Sequence, residues 1–429
     1  GDTTVVDAYL SPVLRRYTDQ LQAQLPDADR MRFMQSNGGL ADVGAFRGKD
    51  AILSGPAGGV VGMVAASEPL GHRKLIGFDM GGTSTDVAHY AQRYELTGDS
   101  VVAGVRVAAP MMQIHTVAAG GGSICSFDGA RFRVGPESAG ADPGPACYRK
   151  GGPLTVTDCN LFLGRIDPAF FPRVFGPGGD EPLDPEAARA ALEAGGDSRP
   201  EPRPLDEIAE GFLAIAVDNM ANAIRKISVA RGHDVTTYAL ACFGGAGGQH
   251  ACKVADELGM ETVLVHPLAG ILSAFGIGLA PVKAIREVSL VRPLGENFAE
   301  ALAGLEEDAR AALIEQGITA DAITLEARAR LRFEGSEGLY RYTVFDAQLR
   351  PLVGGEVAAG IAAEGEELVG GCGVDKAADK ITGAIWVYRP GPTQVGVDIA
   401  IVFSERDQFV AVGVGDMHQD EAAVEIAGQ

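Results

Sequence analysis

Close cysteine pairs are missing from this chain. Its six cysteines (Cys125, Cys147, Cys159, Cys242, Cys252 and Cys372) are scattered, with no Cys-x-x-Cys among them. In a chain this long that argues against a disulfide framework and for reduced thiols. Also missing are an apolar run of membrane-spanning length and a signal-peptide pattern at the start, so the expected setting is cytoplasmic, with no membrane partner. Positive charge is scarce: 36 Lys and Arg stand against 57 Asp and Glu, a net charge of −21. A field of that sign excludes nucleic acid held by the overall charge, but not a nucleotide at a local site. The seven histidines show no metal-ligand spacing, and ordinary buried or surface roles are expected of them.

Glycine is what the chain has in excess, 58 of 429 residues, many in Gly-Gly pairs. That is the composition of a protein using backbone amides at close range. With 46% apolar residues the chain is globular and long enough for two or three domains. It begins at Gly1, almost inside a helical pattern, and is expected to be a piece of a longer protein or subunit.

The most informative stretch is LIGFDMGGTSTDV, from Leu75 to Val87. Leu75, Ile76 and Phe78 make a buried strand that ends at the carboxylate of Asp79. Gly81-Gly82 forces a tight turn whose amides no Cβ shields. Thr83, Ser84 and Thr85 add hydroxyls, and Asp86 a second carboxylate. Acid, glycine turn, hydroxyls and acid form a phosphate cradle with a place for a metal ion; a plain hairpin turn is the alternative.

Around it the chain alternates. Helical spacing marks Val6 to Leu21, with Pro12 either starting the helix after a Ser11 cap or kinking it. Met31–Gln35 reads as a strand. Ser54–Gly59 reads as a second glycine loop before a helix from Val60. Val101–Val107 suits a strand. Ile114–Val117 leads into a third glycine loop at Ala118–Ser123, and Arg131–Val134 into half a hairpin. Pro177–Pro204 suggests a mobile insertion around a short helix. An amphipathic helix is expected from Leu205 to Val229. Tyr238–Phe243, an apolar strand, ends in Gly244-Gly245-Ala246-Gly247-Gly248, then a helix to Leu258 and a strand at Thr262–His266; strand, glycine turn, helix, strand is α/β grammar. A loop of this kind can pass under an adenine or ribose without side-chain collision. Beyond Pro281 come a charged helix (Glu300–Gln316), a strictly alternating strand (Thr324–Gly335) with a hairpin partner at Tyr340–Phe345, and a Gly-, Ala- and Val-rich tail with no visible chemistry.

The Leu75–Val87 stretch resembles the second phosphate motif of the actin-like ATPase and sugar-kinase superfamily, and FGGAGGQHA, from Phe243, resembles its adenosine motif in the right order. GPESAGADPGPACYRKGG with PLTVTDCNLFLGRI, Gly135 to Ile166, resembles the signature of the hydantoinase/oxoprolinase family, in the form with Glu137 and Arg149-Lys150. From the residues alone this is a rigid Gly/Pro surface loop presenting Glu137, Asp142, Arg149, Lys150 and Asp158, either to an anionic substrate or as a solvated rim. Cys147 within it reads as structural, since no histidine has a claim to be its base. Members of the family carry a first Asp-x-Gly-Gly-Thr loop near their N-terminus, and no such loop stands upstream of Asp79 here.

The resemblance implies an actin-like ATPase (ribonuclease H-like) α/β lobe over residues 1–281, and a smaller mixed α+β region over 282–429. It implies ATP-dependent ring opening of a cyclic amide, 5-oxoproline first and a hydantoin second. Asp79 and Asp86 are the catalytic candidates, with Asp79 holding Mg²⁺. Gly81, Gly82, Thr83, Ser84, Thr85, Gly244, Gly245, Gly247 and Gly248 are the ATP contacts. Arg149, Lys150 and Glu137 are the substrate contacts, and Arg149 is the candidate fork for the carboxylate of 5-oxoproline. The expected partner is a second hydantoinase-type subunit or domain. A nucleotide-binding subunit without turnover of its own is the competing reading, and a sugar-kinase relative a third.

Overall fold

The structure is a computed structural model. It describes residues 1–25, 30–102, 104–196, 203–291, 299–331 and 340–342, with short strands at Val374–Asp375, Lys380–Ile381, Gly396–Val402 and Ala411–Val412. The described residues fall into two compact units, one drawn from Gly1–Gly38, Val43–Ala280 and Phe409–Gln429 and one from Gly39–Asp42 and Pro281–Gln408.

The first unit is built on a mixed sheet. Its strands are β1 (Lys74–Met80), β2 (Thr85–Ala91) and β3 (Ile114–Val117); β4 (Ser123–Phe127) and β5 (Phe132–Ser138) pair apart as a hairpin; β6 (Ala239–Phe243) and β7 (Thr262–Val265) complete it. The order across the sheet is β3-β2-β1-β6-β7, antiparallel through β3, β2 and β1 and parallel from β1 through β6 to β7. β1 and β6 are apolar nearly throughout because both faces of the sheet are covered.

Period-two alternation along β1 decides what each face meets. Ile76, Phe78 and Met80 join the main core with Ile208, Phe212, Met220, Ile224 and Ile227 of α5 (Leu205–Ile227). That buried set is the one its helical spacing predicts, except that Ile215 is half-buried. Gly77 and Asp79 face the other way. There Met63 of α2 (Ser54–Ser67) approaches Gly77, and α7 (Leu272–Leu279), the next helix after α6 (Ala251–Leu258), packs on α2. The two helices meet backbone to backbone: a Cβ on Gly276 would lie 2.0 Å from the Gly58 carbonyl oxygen. Ser54–Gly59 is therefore not a loop but the first turns of α2, and its small residues serve helix packing.

Three further expectations are corrected. Helix α1 (Asp2–Gln24) runs through Pro12, and Ser11 caps nothing: its hydroxyl donates to Asp7 Oδ1 at 3.3 Å and accepts the Gly48 amide at 3.3 Å. The region of α4 (Pro185–Gly196) is no loose insertion. Leu183 and Ala188 are buried with Cys147, Leu161, Ile166 and Phe175, and Leu192 enters the main core. Residues 197–202 lie outside the described residues. Val101–Val107 is a small hairpin, Ser100–Val102 against Val105–Val107, rather than one strand.

In the second unit β8 (Arg286–Val291), β9 (Glu326–Leu331), β10 (Tyr340–Tyr342) and β11 (Gly396–Val402) form a sheet in the order β8-β11-β9-β10, antiparallel throughout. Helix α8 (Ala299–Glu315) lies against β8 and β11 and buries Leu302, Ala309 and Leu313. The alternating strand is present as β9 and its partner as β10; residues 332–335 and 343–345 of that expectation lie outside the described residues. The tail supplies β11, an interior strand of this sheet.

Candidate functional site

Asp79 and Asp86 stand directly opposite each other where β1 and β2 close into a hairpin. The Gly81 amide donates to the Ser84 carbonyl at 3.0 Å, so the backbone is the hairpin turn of the plainer reading and the Gly81 N–H is occupied. Gly82 and Thr83 are exposed at its tip, with Ser84 half-buried beside them. Thr85 departs from its expected role. It is fully buried and its hydroxyl donates to the Ala119 carbonyl, which fastens β2 to the third glycine loop rather than facing a ligand.

That third loop lies along the turn. Gly121 donates to the Gly81 carbonyl at 3.1 Å and Gly122 to the Gly82 carbonyl at 2.6 Å. The loop is held from behind by α3 (Val156–Phe162): the Thr157 amide and hydroxyl both reach the Gly121 carbonyl at 2.8 Å. The segment Gly135–Ile166 thus serves as the support of the phosphate-like turn.

The loop after β6 arrives from the parallel side. Ala246 donates to the Met80 carbonyl at 2.9 Å, and Gly244 to Ala269 at 3.0 Å. Gly244 has φ +82°, and a Cβ there would lie 2.5 Å from both Asp79 Oδ1 and the Met80 carbonyl oxygen. No other residue type fits that position. Gly245 and Gly248 are exposed, whereas Gly247 is buried against Cys242 and Phe78 and is a packing residue.

Asp79 is the electrostatic centre of the arrangement. Burial first, and the Asp86 carboxylate second, push it up to about 6, and a hydrogen bond from Ser273 Oγ at 3.5 Å opposes them. Asp86 accepts from the Thr116 hydroxyl. Ser273 and Thr116 escaped sequence reasoning; the only signal for Ser273 was its place in a small, apolar helix able to come close to the sheet. A polar network also links α3 to the β6 loop: Asn160 Nδ2 donates to Gln249 Oε1 at 2.9 Å and to His250 Nε2 at 3.0 Å. Burial depresses His250 to about 4, so its ring is neutral at physiological pH. Asn160 and Gln249 are far apart in sequence, and no local pattern could have joined them.

Of the residues expected to read the substrate, Arg149 is engaged by other groups of the chain. Arg149 Nε donates to the Pro182 carbonyl at 2.8 Å, and its guanidinium pairs with Asp184 at 3.0 Å and Glu181 at 3.4 Å. With two carboxylates already on its fork it clamps the Gly/Pro loop to the start of α4. Lys150 is exposed and faces Asp142 at 3.7 Å, and Glu137 is exposed. Asp158 is not presented at all. It is fully buried and accepts from the amides of Ala146 at 3.1 Å, Cys147 at 2.8 Å and Thr155 at 2.8 Å, closing a capping box on α3. Cys147 is fully buried and its thiol is pushed well above the ordinary range, as a structural cysteine.

The class the fold defines is a mixed α/β unit in which three glycine-rich turns meet around a paired-carboxylate strand end. The chain belongs to the hydantoinase/oxoprolinase family, whose pattern it matches over residues 1–286. It is 46% identical over 348 residues to "5-oxoprolinase" of Saccharomyces cerevisiae, an alignment covering 78% of this chain and 27% of that protein. It is 38% identical over 307 residues to "Caprolactamase subunit alpha" of Pseudomonas jessenii, covering 70% of this chain and 43% of that one. Among solved structures, the ATP-dependent caprolactamase from Pseudomonas jessenii superposes with a TM-score of 0.73 at 29% identity, over 98% of this chain and 60% of that chain. The chain thus spans about a quarter of the length of the yeast relative (27%). Among the described residues no helix is long and apolar enough to cross a membrane.

Proposed function

We propose that this chain is the nucleotide-handling part of an ATP-dependent hydrolase that opens a cyclic amide, with 5-oxoproline as substrate and glutamate as product. The observation that carries the reading is the meeting of the Gly81–Ser84 turn, the Gly120–Gly122 loop and the Gly244–Gly248 loop around Asp79, in a chain 46% identical to a protein named 5-oxoprolinase. The antiparallel hairpin that carries the turn, and the parallel strand beside it that carries the second loop, support an actin-like, ribonuclease H-like lobe.

The residues fit Mg²⁺ and ATP. Two carboxylates face each other, and Asp79 is raised first by burial and then by the Asp86 charge; a divalent cation would relieve that repulsion. Asp79, with Asp86, would hold Mg²⁺. Gly82, Thr83 and Ser84 would hold phosphate oxygens, and Gly244, Gly245 and Gly248 would let the adenosine approach the backbone. Bound ATP supplies a phosphoryl group to the amide oxygen, which turns a resonance-stabilised lactam into an electrophile with a good leaving group. The chain's own contribution is positioning: Gly244 lets the second loop press against Asp79, Thr85 and Thr157 fix the loop that backs the turn, and Ser273 orients the Asp79 carboxylate.

A second hydantoinase-type subunit or domain completes the enzyme in this reading. Its support is the chain's partial span of its relatives and the naming of one of them as a subunit alpha. Free thiols at Cys125, Cys147, Cys159, Cys242 and Cys252 support a cytoplasmic setting. The test is ADP release by the complete enzyme with 5-oxoproline and with hydantoin. Stimulation by 5-oxoproline above hydantoin is expected; release that neither amide stimulates would overturn the proposal.

A further inference from the structure

At the other end of β2 from Asp86, three side chains that no sequence spacing joins come together. His89 lies on β2, Glu95 just beyond it, and His233 in the connection between α5 and β6. One ligand atom from each lies within 4.8 Å of the others. The His89 and His233 rings stack at 4.1 Å between centroids. His89 Nδ1 is 2.7 Å from Glu95 Oε1, and its Nε2 is 3.0 Å from the Tyr238 hydroxyl. Arg231 donates to the other Glu95 oxygen at 2.7 Å. We infer that His89, Glu95 and His233 form a binding site for a divalent transition metal of the Zn²⁺ type, separate from the nucleotide site.

The donor set selects the metal. Two imidazoles and one carboxylate suit Zn²⁺ and its neighbours, whereas Mg²⁺ and Ca²⁺ prefer oxygen alone. The outer partners are those a metal site uses. At present a hydrogen on Nδ1 bridges His89 to Glu95. A cation takes its place between the two, and the ring's hydrogen then sits on Nε2, where the Tyr238 oxygen accepts it. Arg231 holds the second oxygen of Glu95 and leaves one for the metal. Three protein ligands leave a fourth position for water. Lys74 lies 5.5 Å over the Tyr238 ring and Arg231 flanks Glu95, so the site carries nearby positive charge rather than an acidic field, and the stacked His233 ring must turn out of its face-to-face position to aim its lone pair at an ion shared with His89. A bound ion would tie the connection after α5 to the sheet, so its effect is on the stability of that connection.

The experiment is Zn²⁺ binding to the chain, stripped by chelator, in excess Mg²⁺ so that the Asp79 pair is saturated. One equivalent is expected, at a Kd of about 1 µM or below, with Co²⁺ giving the visible bands of a four-coordinate site. His233→Ala and Glu95→Gln should each weaken binding by about 100-fold, and Tyr238→Phe by about tenfold. His233 is half-buried in a connection, so its variant tests ligation without removing a core side chain; circular dichroism verifies its fold. Binding unchanged in both His233→Ala and Glu95→Gln, or no binding below about 100 µM, would overturn the inference.

Discussion

Asp79 shows how a partly buried carboxylate works against the fold that holds it. Its unfolded value is 3.8 and its folded value about 6. Between those two values the unfolded chain releases the proton first, so stability falls as pH rises from about 4 to about 6 and stays lower above. Asp79→Asn removes the charge and the repulsion from Asp86. In the chain alone it should raise stability at pH 8 by about 1–2 kcal/mol, a gain that disappears as pH falls towards 4. In the complete enzyme it should abolish ATP turnover. Paired melting curves and phosphate release check both; turnover retained at near-normal rate excludes the metal-holding role. Arg149 makes the opposite case. Its guanidinium is spent on Asp184, Glu181 and the Pro182 carbonyl. Arg149→Ala should therefore cost about 1–2 kcal/mol in urea unfolding and impair 5-oxoproline and hydantoin turnover alike. A selective loss with 5-oxoproline would restore it as a substrate residue.

At the scale of elements, two contacts carry the site. The first is α2 on α7, where Gly58, Gly62 and Gly276 let backbones touch so that Ser273 reaches Asp79. Gly276→Ala would place a methyl 2.0 Å from the Gly58 carbonyl oxygen and 2.3 Å from the Gly62 nitrogen. Backbone cannot yield there as a side-chain tip can, so the expected loss is about 2–3 kcal/mol, well beyond alanine's gain in helix propensity. A thermal melt checks it. The second is α3 behind the third glycine loop. Asp158 satisfies buried amides at Ala146, Cys147 and Thr155. Asp158→Ala strands them, at a cost of about 3–5 kcal/mol, and frees α3, whose Thr157 holds Gly121. Stability and ATP turnover should fall together although Asp158 touches no ligand.

For the whole molecule, the question is how much of the nucleotide site this chain provides. No Asp-x-Gly-Gly-Thr loop precedes Asp79 in it, and it covers 27% of the yeast relative. Mg-ATP should therefore bind the chain alone at least about tenfold more weakly than the complete enzyme, a difference of about 1.4 kcal/mol or more. Calorimetry on both checks this; equal affinities would mean that the loops around Asp79 suffice.

The sequence by itself determined the local elements and their order. Apolar runs ended by glycine turns marked β1 and β6, helical spacing marked α5, and strict alternation marked β9, because each pattern is a property of a few neighbouring residues. It also identified the family, through the motifs at Leu75–Val87, Gly135–Ile166 and Phe243 onward and their order in the chain. Tertiary structure decided which charges are available. Arg149 and Asp158 read alike as charges presented by a Gly/Pro loop, and Asp79 as the carboxylate that ends a buried strand. Packing clamps the first between acids, buries the second under amides and leaves the third half-buried against a second carboxylate. Ser273, Thr116 and the stacked pair of His89 and His233 come from contacts between residues remote in the chain. A side chain's chemistry is local, but its partners and its solvation are fixed only when distant segments meet.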